Sequence, residues 1–375
     1  MIKISDPYIP DSALKSVMDV LRSGHLIQGQ FVHDFETALA EYIGTKHAIL
    51  VSSGTAALWL SLKALEIQAG DEVIVPAFTF PATANVVELV GARPVLADIR
   101  LDDFCLDPDL VESKITKKTK AIMPVHEFGQ SAEMAKIMPI AASYGLKVIE
   151  DAACALGAEC QNKKVGAFGA LGCFSFHPRK AVTTGEGGAV VTNDDELADR
   201  VRLLRNHGIQ VSGGKTDFVR AGFNFRLTDF QAALGLAQFA EIEDIIEKRI
   251  RIAGIYDRLL ADVDGIAIPG KFAGRKMVYQ TYYVLVDEAI DRDGVIEYLK
   301  RHEIETNYGA YAIHQLTYYK DRYHFRKNEY PKASWAFLHG LVLPFDFHLN
   351  ASRIKSIVRC LKNAFSQGEA KPASR

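Results

Sequence analysis

FSFHPRKAVTTGEGGAVV, residues 174–191, is the most informative segment of this sequence, and Lys180 lies near its centre. Apolar residues and a proline precede this lysine, and threonines and glycines follow it, a composition typical of a tight loop between strands. A neutral lysine amine held in a partly dry loop can attack a carbonyl carbon and form a Schiff base. A lysine considered alone is more often an exposed surface residue, so the interpretation of Lys180 depends on the rest of the sequence.

Two other segments supply groups that would complete a cofactor site around such a lysine. VIEDAACALG, residues 148–157, ends an apolar strand at Glu150 and Asp151, and acids in this position face the ligand crevice of an open α/β sheet. ILVSSGTAAL, residues 49–58, runs from a strand into a helix, whose first N–H groups can bind an anion. A lysine for an imine, an acid for a pyridinium nitrogen and a helix N-terminus for a phosphate together indicate a pyridoxal 5′-phosphate (PLP) site.

Six spaced motifs carry a resemblance to a known family. They are, in chain order, SSGTAAL, PAFTFPATAN, PVHEFG, EDAACALGA, SFHPRKAVTTGEGG and GFNFRLTDFQAALGLAQ. The sequence resembles the DegT/StrS-type PLP-dependent sugar-nucleotide aminotransferases, which have the aspartate aminotransferase fold, fold type I. The likeness covers the chain from Gly24 to Gln238 and is looser beyond.

The resemblance implies roles for the residues that match the family's cofactor site. Lys180 would bind the cofactor and move protons, Asp151 would hold the ring nitrogen, and Phe80 would stack on the ring. The cofactor phosphate would be bound by Ser53, Gly54, Thr55, Ser175 and, from the neighbouring subunit, Asn224. The resemblance therefore implies a homodimer with shared active sites.

Cys154 departs from the usual family pattern, in which a glutamine bonds the phenolic oxygen of the cofactor. A thiol is a weaker hydrogen-bond donor than an amide, so we expect a different environment for this oxygen. The candidates for substrate contact are Gln28, His126, His177 and Tyr308. Structural roles remain open for His126 and for the aromatic-rich run that begins at Tyr308. No metal site is expected, because His126 has no partner ligand at a suitable spacing.

Composition narrows the class of protein and its partners. A chain of 375 residues, 48% of them hydrophobic, is expected to fold into two domains. A net charge of −2 without a polybasic segment argues against nucleic acid and anionic membrane as partners, since both attract basic patches. Five scattered cysteines and an N-terminus without a signal-peptide pattern predict a cytoplasmic protein.

The alternation of strand and helix patterns from residue 46 onward predicts an α/β fold. Together with the resemblance, it predicts a large domain, residues 1–245, with a mostly parallel seven-stranded sheet covered by helices. A smaller C-terminal α+β domain is expected for residues 246–375. One long helix over residues 228–260 would link the two domains, and residues 367–375 would form a flexible polar tail.

The predicted function is amino transfer from L-glutamate to a nucleotide-linked keto sugar, most simply a 4-keto-6-deoxy sugar. A 3-keto sugar aminotransferase, a PLP-dependent lyase of the same fold and a non-catalytic sensor remain as alternatives. A nicotinamide dehydrogenase is disfavoured, because Gly185 and Gly187 precede a strand pattern where a dinucleotide fingerprint would open a helix. Lys180 also disfavours the dehydratase branch of the family, in which histidine replaces it.

Overall fold

The computed structural model describes residues 1–366, so the predicted tail at residues 367–375 lies outside the described residues. The predicted α/β class is confirmed. The helices in chain order are α1 Asp11–Ser23, α2 Gln30–Ile43, α3 Gly54–Ala64, α4 Ala82–Leu89, α5 Met134–Ser143, α6 Asp195–Arg205, α7 Asp229–Phe239, α8 Ile242–Leu260, α9 Arg292–Arg301, α10 Thr317–Tyr323, α11 Pro331–His339 and α12 Ala351–Ser366. The strands are β1 His47–Val51, β2 Glu72–Pro76, β3 Phe78–Thr79, β4 Arg93–Ala97, β5 Thr119–Ile122, β6 Lys147–Asp151, β7 Glu159–Cys160, β8 Lys163–Lys164, β9 Leu171–Ser175, β10 Gly188–Thr192, β11 Ile209–Ser212, β12 Lys215–Phe218, β13 Ile266–Ala267, β14 Arg275–Lys276, β15 Tyr282–Val286, β16 Tyr311–Ala312 and β17 Gly340–Leu343.

A seven-stranded sheet forms the centre of the large unit, with strand order β1-β10-β9-β6-β5-β2-β4. The pairs from β9 to β4 are parallel, and β10 runs antiparallel to both of its neighbours. The expected mostly parallel sheet is therefore confirmed. Because parallel strands end at the same edge, Asp151 at the end of β6 and Ser175 at the end of β9 face one crevice.

Both faces of this sheet are buried by helices. In β1, Ile49 and Val51 pack into one hydrophobic cluster, whereas Ala48 and Leu50 pack into a second cluster on the other face. This follows from the alternation of side chains along a strand. No helix within residues 1–366 is both long enough and apolar enough to cross a membrane.

The smaller unit packs α8, α9 and α12 against the three-stranded sheet β13-β15-β17. The predicted boundary at residue 245 falls inside α8, where Ile246 packs on the large unit and Ile252 on the small unit. The N-terminus departs from the predicted division, because Ile2 forms a parallel bridge with Ile304 and packs in the small unit. Its neighbour Ile4 lines the crevice between the two units.

The single helix predicted over residues 228–260 is wrong, because the chain forms two helices, α7 and α8, with a break at Ala240 and Glu241. The predicted start is correct, and Thr228 and Gln231 form a capping box. Tertiary contacts flank the break: the buried Gln238 side chain bonds the backbone of Thr183, and Glu241 accepts a hydrogen bond from Tyr8. Neither contact has a signal in the local sequence.

Candidate active site

Lys180 lies at the tip of a closed loop between β9 and β10. The loop is fastened at its base, where the Phe176 amide donates to the Gly187 carbonyl at 2.8 Å. The side chain of Gln238, fully buried in α7, accepts from the Thr183 amide and donates to its carbonyl at 3.1 and 2.7 Å. The loop is therefore anchored on its far side by a buried amide, and the lysine is presented from a fixed backbone.

Asp151 ends β6 in a buried position beside this loop. Its backbone amide bonds the Pro124 carbonyl at 2.9 Å, which extends the ladder between β5 and β6. The Thr83 hydroxyl donates to its Oδ2 at 2.8 Å, and the Ala153 amide donates to its Oδ1 at 3.2 Å. Burial raises the pKa of the Asp151 carboxyl, although the hydrogen bond from Thr83 acts in the opposite direction. A cation placed next to it would lower this pKa again.

The N-terminus of α3 supplies a third feature of the site. Ser53 caps the helix by accepting a hydrogen bond from the Ala56 amide at 3.0 Å. A Cβ atom at Gly54 would lie 2.8 Å from the Ser175 Cβ, so glycine permits α3 to approach the end of β9. The free N–H groups of this first turn and the two serines form a polar cradle suited to an anion.

These features line one cavity of about 230 Å³ between the large and small units. It is bordered by nine of the predicted residues, namely Ser53, Gly54, Thr55, Phe80, Asp151, Cys154, Ser175, His177 and Lys180. The Phe80 ring is 57% exposed at this cavity, an unusual position for a phenylalanine. It leaves an aromatic face available to a flat ligand.

His126 was a candidate for substrate contact with a structural role left open, and its position in the structure is that of a structural residue. Its side chain is fully buried, and the Ala132 amide donates to Nδ1 at 3.0 Å. Because Nδ1 is an acceptor, Nε2 carries the proton and donates to Glu150 Oε2 at 3.0 Å. His126 is therefore a structural residue that fixes the end of β5 against β6.

Three other predicted residues also lie outside the cavity of their own chain. Tyr308 packs its ring under the guanidinium of Arg292 at 4.3 Å, while its neighbours Asn307 and Gly309 line the cavity. Gln28 does not border the cavity, and its buried Nε2 atom has no partner within the residues that the structure describes. Asn224 is exposed and forms an isolated backbone bridge with Asn206.

Cys154 is placed directly against the lysine. The Lys180 Nζ atom donates to the Cys154 Sγ atom at 2.9 Å. Burial raises the pKa of this thiol, so it is an uncharged partner for the amine. Burial lowers the pKa of the His177 imidazole, so this ring is a neutral part of the cavity wall near pH 7.

Glu127 was missed as a site residue, although it lies in the motif PVHEFG. Its side chain is 4% exposed and lines the cavity, and among residues 1–366 its buried Oε2 atom has no hydrogen-bond partner. Burial and the nearby Asp151 carboxylate raise the pKa of Glu127 to about 7. The sequence shows the acid, but only the tertiary structure shows that it lies in the cavity with an unpaired oxygen.

Comparison with known proteins places the chain in a family. The DegT/DnrJ/EryC1/StrS aminotransferase family matches residues 7–362, and the chain belongs to this family. It is 40% identical over 336 residues to the GDP-perosamine synthase of Caulobacter vibrioides, covering 89% of this chain and 90% of the relative.

Solved structures agree with this assignment. Helicobacter pylori PseC, an aminotransferase involved in the biosynthesis of pseudoaminic acid, superposes with a TM-score of 0.93 at 32% identity, covering 98% and 99% of the two chains. The PLP-form of Spr1654 from Streptococcus pneumoniae gives a TM-score of 0.92 at 30% identity, covering 98% and 99%. The protein is a PLP-dependent sugar aminotransferase of this family.

The residues present fit this cofactor. An anion cradle at α3, a buried carboxyl at Asp151, an exposed ring at Phe80 and a loop lysine border the same cavity. When bound, PLP supplies an electron sink that stabilises negative charge at the carbon bearing the amine. Lys180 would hold its carbonyl carbon, Asp151 its ring nitrogen and the α3 N-terminus its phosphate.

Proposed function

We propose that this enzyme transfers the amino group of L-glutamate to a nucleotide-linked 4-keto-6-deoxy sugar in the cytoplasm. The product would be a nucleotide-linked amino sugar for surface polysaccharide or glycoside biosynthesis. The observation that carries the proposal is the convergence of Lys180, Asp151 and the α3 N-terminus on one cavity. Relatives named GDP-perosamine synthase, 35–40% identical to this chain, support a nucleotide-linked sugar as the amino acceptor.

The chain's own groups have distinct tasks in this proposal. Lys180, once free, would act as a general base and remove the proton from the α carbon of the donor. It would then act as a general acid and deliver that proton to the cofactor carbon that it had held. Asp151 would keep a positive charge on the ring nitrogen through an ion pair in a buried setting. The α3 N-terminus and Ser175 would hold the phosphate, so that the reacting carbon stays within reach of Lys180.

The cavity also has a polar border through which a nucleotide could be recognised. Arg179, Thr281 and Asn307 line it together with the N-terminal residue Ser5. Binding energy from groups remote from the reacting carbon can align the ketone in the transition state. We therefore propose that the nucleotide is required for turnover, and that a free keto sugar reacts poorly.

The test is a two-step conversion followed by absorbance. Glutamate is expected to convert the bound cofactor to its amine form and remove the visible band, and a nucleotide-linked keto sugar is expected to restore it. UDP-, dTDP- and GDP-linked 4-keto and 3-keto sugars are offered beside pyruvate and oxaloacetate, with Lys180→Ala as the inactive control. NMR of the product places the new amine on the ring.

Each other outcome assigns a different function. Recovery with a 3-keto sugar alone changes the proposed ring position, and recovery with only simple keto acids contradicts a sugar substrate. Loss of carbon dioxide or of a β-substituent from an amino acid would identify a lyase. If no amino donor shifts the spectrum, a sensor on this fold replaces the proposed enzyme.

A homodimer with shared sites is part of the proposal. The hairpin of β11 and β12, which precedes Asn224 in the chain, is exposed from Gln210 to Phe218 and carries Val211 and Phe218, 67% and 65% exposed. Helix α1 presents a second apolar face, with Leu14, Met18 and Leu21 each about half exposed. Exposed apolar surface of this kind is typical of an interface, and it supports Asn224 reaching the site of the partner subunit.

Subunit mixing tests the shared site. Lys180→Ala and Asn224→Ala enzymes are each expected to be defective, and their co-expression should restore one intact site in every mixed dimer. Random assembly would then give roughly a quarter of the wild-type activity, because half of the dimers are mixed. Activity is measured at equal PLP content, and co-expression of two Lys180→Ala chains is the control. A monomer in solution, or mixing without recovery, would exclude shared sites.

A further inference from the structure

Two buried carboxyls in the active-site cavity are joined by a chain of hydroxyl groups. The Thr83 hydroxyl donates to Asp151 Oδ2 at 2.8 Å, and it lies 3.2 Å from the Thr79 hydroxyl. The Thr79 hydroxyl in turn faces the Glu127 carboxyl, whose charged form it stabilises. All four residues line the cavity, and none is more than 4% exposed.

The number of protons available to this series of hydrogen bonds is limited. A complete chain would join Glu127, Thr79, Thr83 and Asp151 by three links, the last two of which are present as hydrogen bonds, and each link needs one hydrogen atom. Each threonine hydroxyl donates only one hydrogen, so the two hydroxyls satisfy two of the three links. The third hydrogen must come from one of the two carboxyls. Glu127 and Asp151 therefore share one proton when all three hydrogen bonds are formed.

We propose that Glu127 is a positioning residue that carries this shared proton and thereby keeps Asp151 ionised opposite the cofactor ring nitrogen. The inference rests on the proposed function of Asp151 and adds a residue to it. A protonated Glu127 donates to Thr79, Thr79 donates to Thr83, and Thr83 donates to Asp151. Every link then points toward Asp151, and hydrogen bonds to the charged form of an acid stabilise that form.

The surroundings of Glu127 favour its role as the proton carrier. Its Oε2 atom is buried and has no hydrogen-bond partner in the described part of the chain, a costly position for a charged oxygen. The titratable groups that interact with it are Asp151, Lys180, Cys154, Cys105 and Tyr283. Asp151 favours a neutral Glu127, whereas Lys180 and the Thr79 hydroxyl favour an ionised one; burial together with Asp151 dominates, which places the pKa of Glu127 at about 7.

The backbone holds Glu127 in this place at some conformational cost. The next residue, Phe128, has φ 53° and ψ 14°, in the left-handed region that non-glycine residues rarely occupy. Its ring stacks on Tyr283 with centroids 4.2 Å apart, which stabilises the turn. Gly129 has φ 93°, and a Cβ atom there would lie 2.6 Å from the Gln280 amide nitrogen. Packing thus fixes a strained turn that directs the acid into the cavity.

The experiment uses the PLP-loaded enzyme and two matched pairs of variants. Glu127→Gln keeps a donor to Thr79 and Glu127→Leu removes it, while Thr79→Ser keeps the hydroxyl and Thr79→Val removes it. Infrared spectroscopy is used to follow the carbonyl band of a protonated buried carboxylic acid from about pH 5 to pH 9. Glu133→Gln, a change at a partly exposed acid outside the cavity, is the control.

In the wild type, this carboxylic acid band is expected to disappear as pH rises through about 7, together with a step in the visible absorbance of the bound cofactor. Glu127→Gln should lack the band and the absorbance step yet stay within a few-fold of wild-type turnover, because its amide still donates. Glu127→Leu and Thr79→Val should lower kcat by about tenfold, since each breaks the series of donors that ends on Asp151 and leaves a buried hydroxyl oxygen without its donor. Thr79→Ser should behave as the wild type.

Persistence of the infrared band in Glu127→Gln, or its absence from the wild type throughout this pH range, would overturn the proposal. Equal kcat values for Glu127→Gln and Glu127→Leu would also contradict it. If the Glu127 variants do not fold, the infrared titration of the wild type and the comparison of Thr79→Ser with Thr79→Val still test the proposal. A protein that binds no PLP refutes the proposed function instead, and the band can then be followed in the cofactor-free protein, because the four groups are all its own.

Discussion

Exchange of Asp151 for asparagine is expected to slow turnover by about 10²–10⁴-fold, because it removes one partner of a buried charge pair worth roughly 3–5 kcal/mol. The amide has nearly the same size as the carboxyl and can still accept the hydrogen bond from Thr83. It cannot neutralise a positive charge on the ring nitrogen. The variant should therefore bind PLP through Lys180 and retain the fold while the proton-transfer steps become slow.

The measurement is kcat with the amino acceptor identified by the two-step assay, together with PLP content and the far-UV circular dichroism spectrum. Asp98→Asn is a matched control, since Asp98 follows β4 in the same sheet, is 6% exposed, and bonds the Lys332 and Ala333 amides outside the cavity. We expect the control to alter stability more than kcat. Turnover of Asp151→Asn close to the wild-type value would exclude an ion pair at the ring nitrogen.

Much of the site was predictable because a parallel sheet brings distant segments together. Ser53, Asp151 and Ser175 all follow or end strands of the central sheet, and the strands end at one edge. Periodicity and turn residues identify such strands, and short polar motifs mark where they end. The convergence of Lys180 with these residues therefore follows from the fold class.

The parts that were not predictable depend on side-chain contacts between remote segments. The motif PVHEFG contains both His126 and Glu127. The local sequence does not indicate that the His126 ring is buried against the sheet while the Glu127 side chain faces the cavity. The hydroxyl chain joins Thr79 to Asp151 through Thr83, groups whose meeting requires the packing of β3 and α4 on β6. The break between α7 and α8 has the same origin, since no glycine or proline marks it.

Glu150, the neighbour of Asp151, provides the largest expected effect on stability. It is fully buried, and its Oε2 accepts hydrogen bonds from the Gly166 amide at 2.8 Å and from His126 at 3.0 Å. Its Oε1 accepts from the Phe168 and Gly169 amides, both at 2.7 Å. One carboxylate thus satisfies four donors from two separate segments of the chain, and it ties the end of β6 to the loop before β9.

Glu150→Ala is expected to lower the free energy of unfolding by about 3–5 kcal/mol, because it leaves buried donors unpaired and opens a cavity. Glu150→Gln should lose less free energy of unfolding than Glu150→Ala, because its amide oxygen can still accept hydrogen bonds from the loop. Some loss remains, because its NH₂ group faces the other donors. Urea unfolding of the PLP-free protein measures the change in free energy of unfolding for both variants. Glu159→Ala, at a partly exposed acid near Lys164 and Lys276, is the control and should change the free energy by less than about 1 kcal/mol. A loss in Glu150→Ala no greater than in this control would show that the four hydrogen bonds do not hold the site in place.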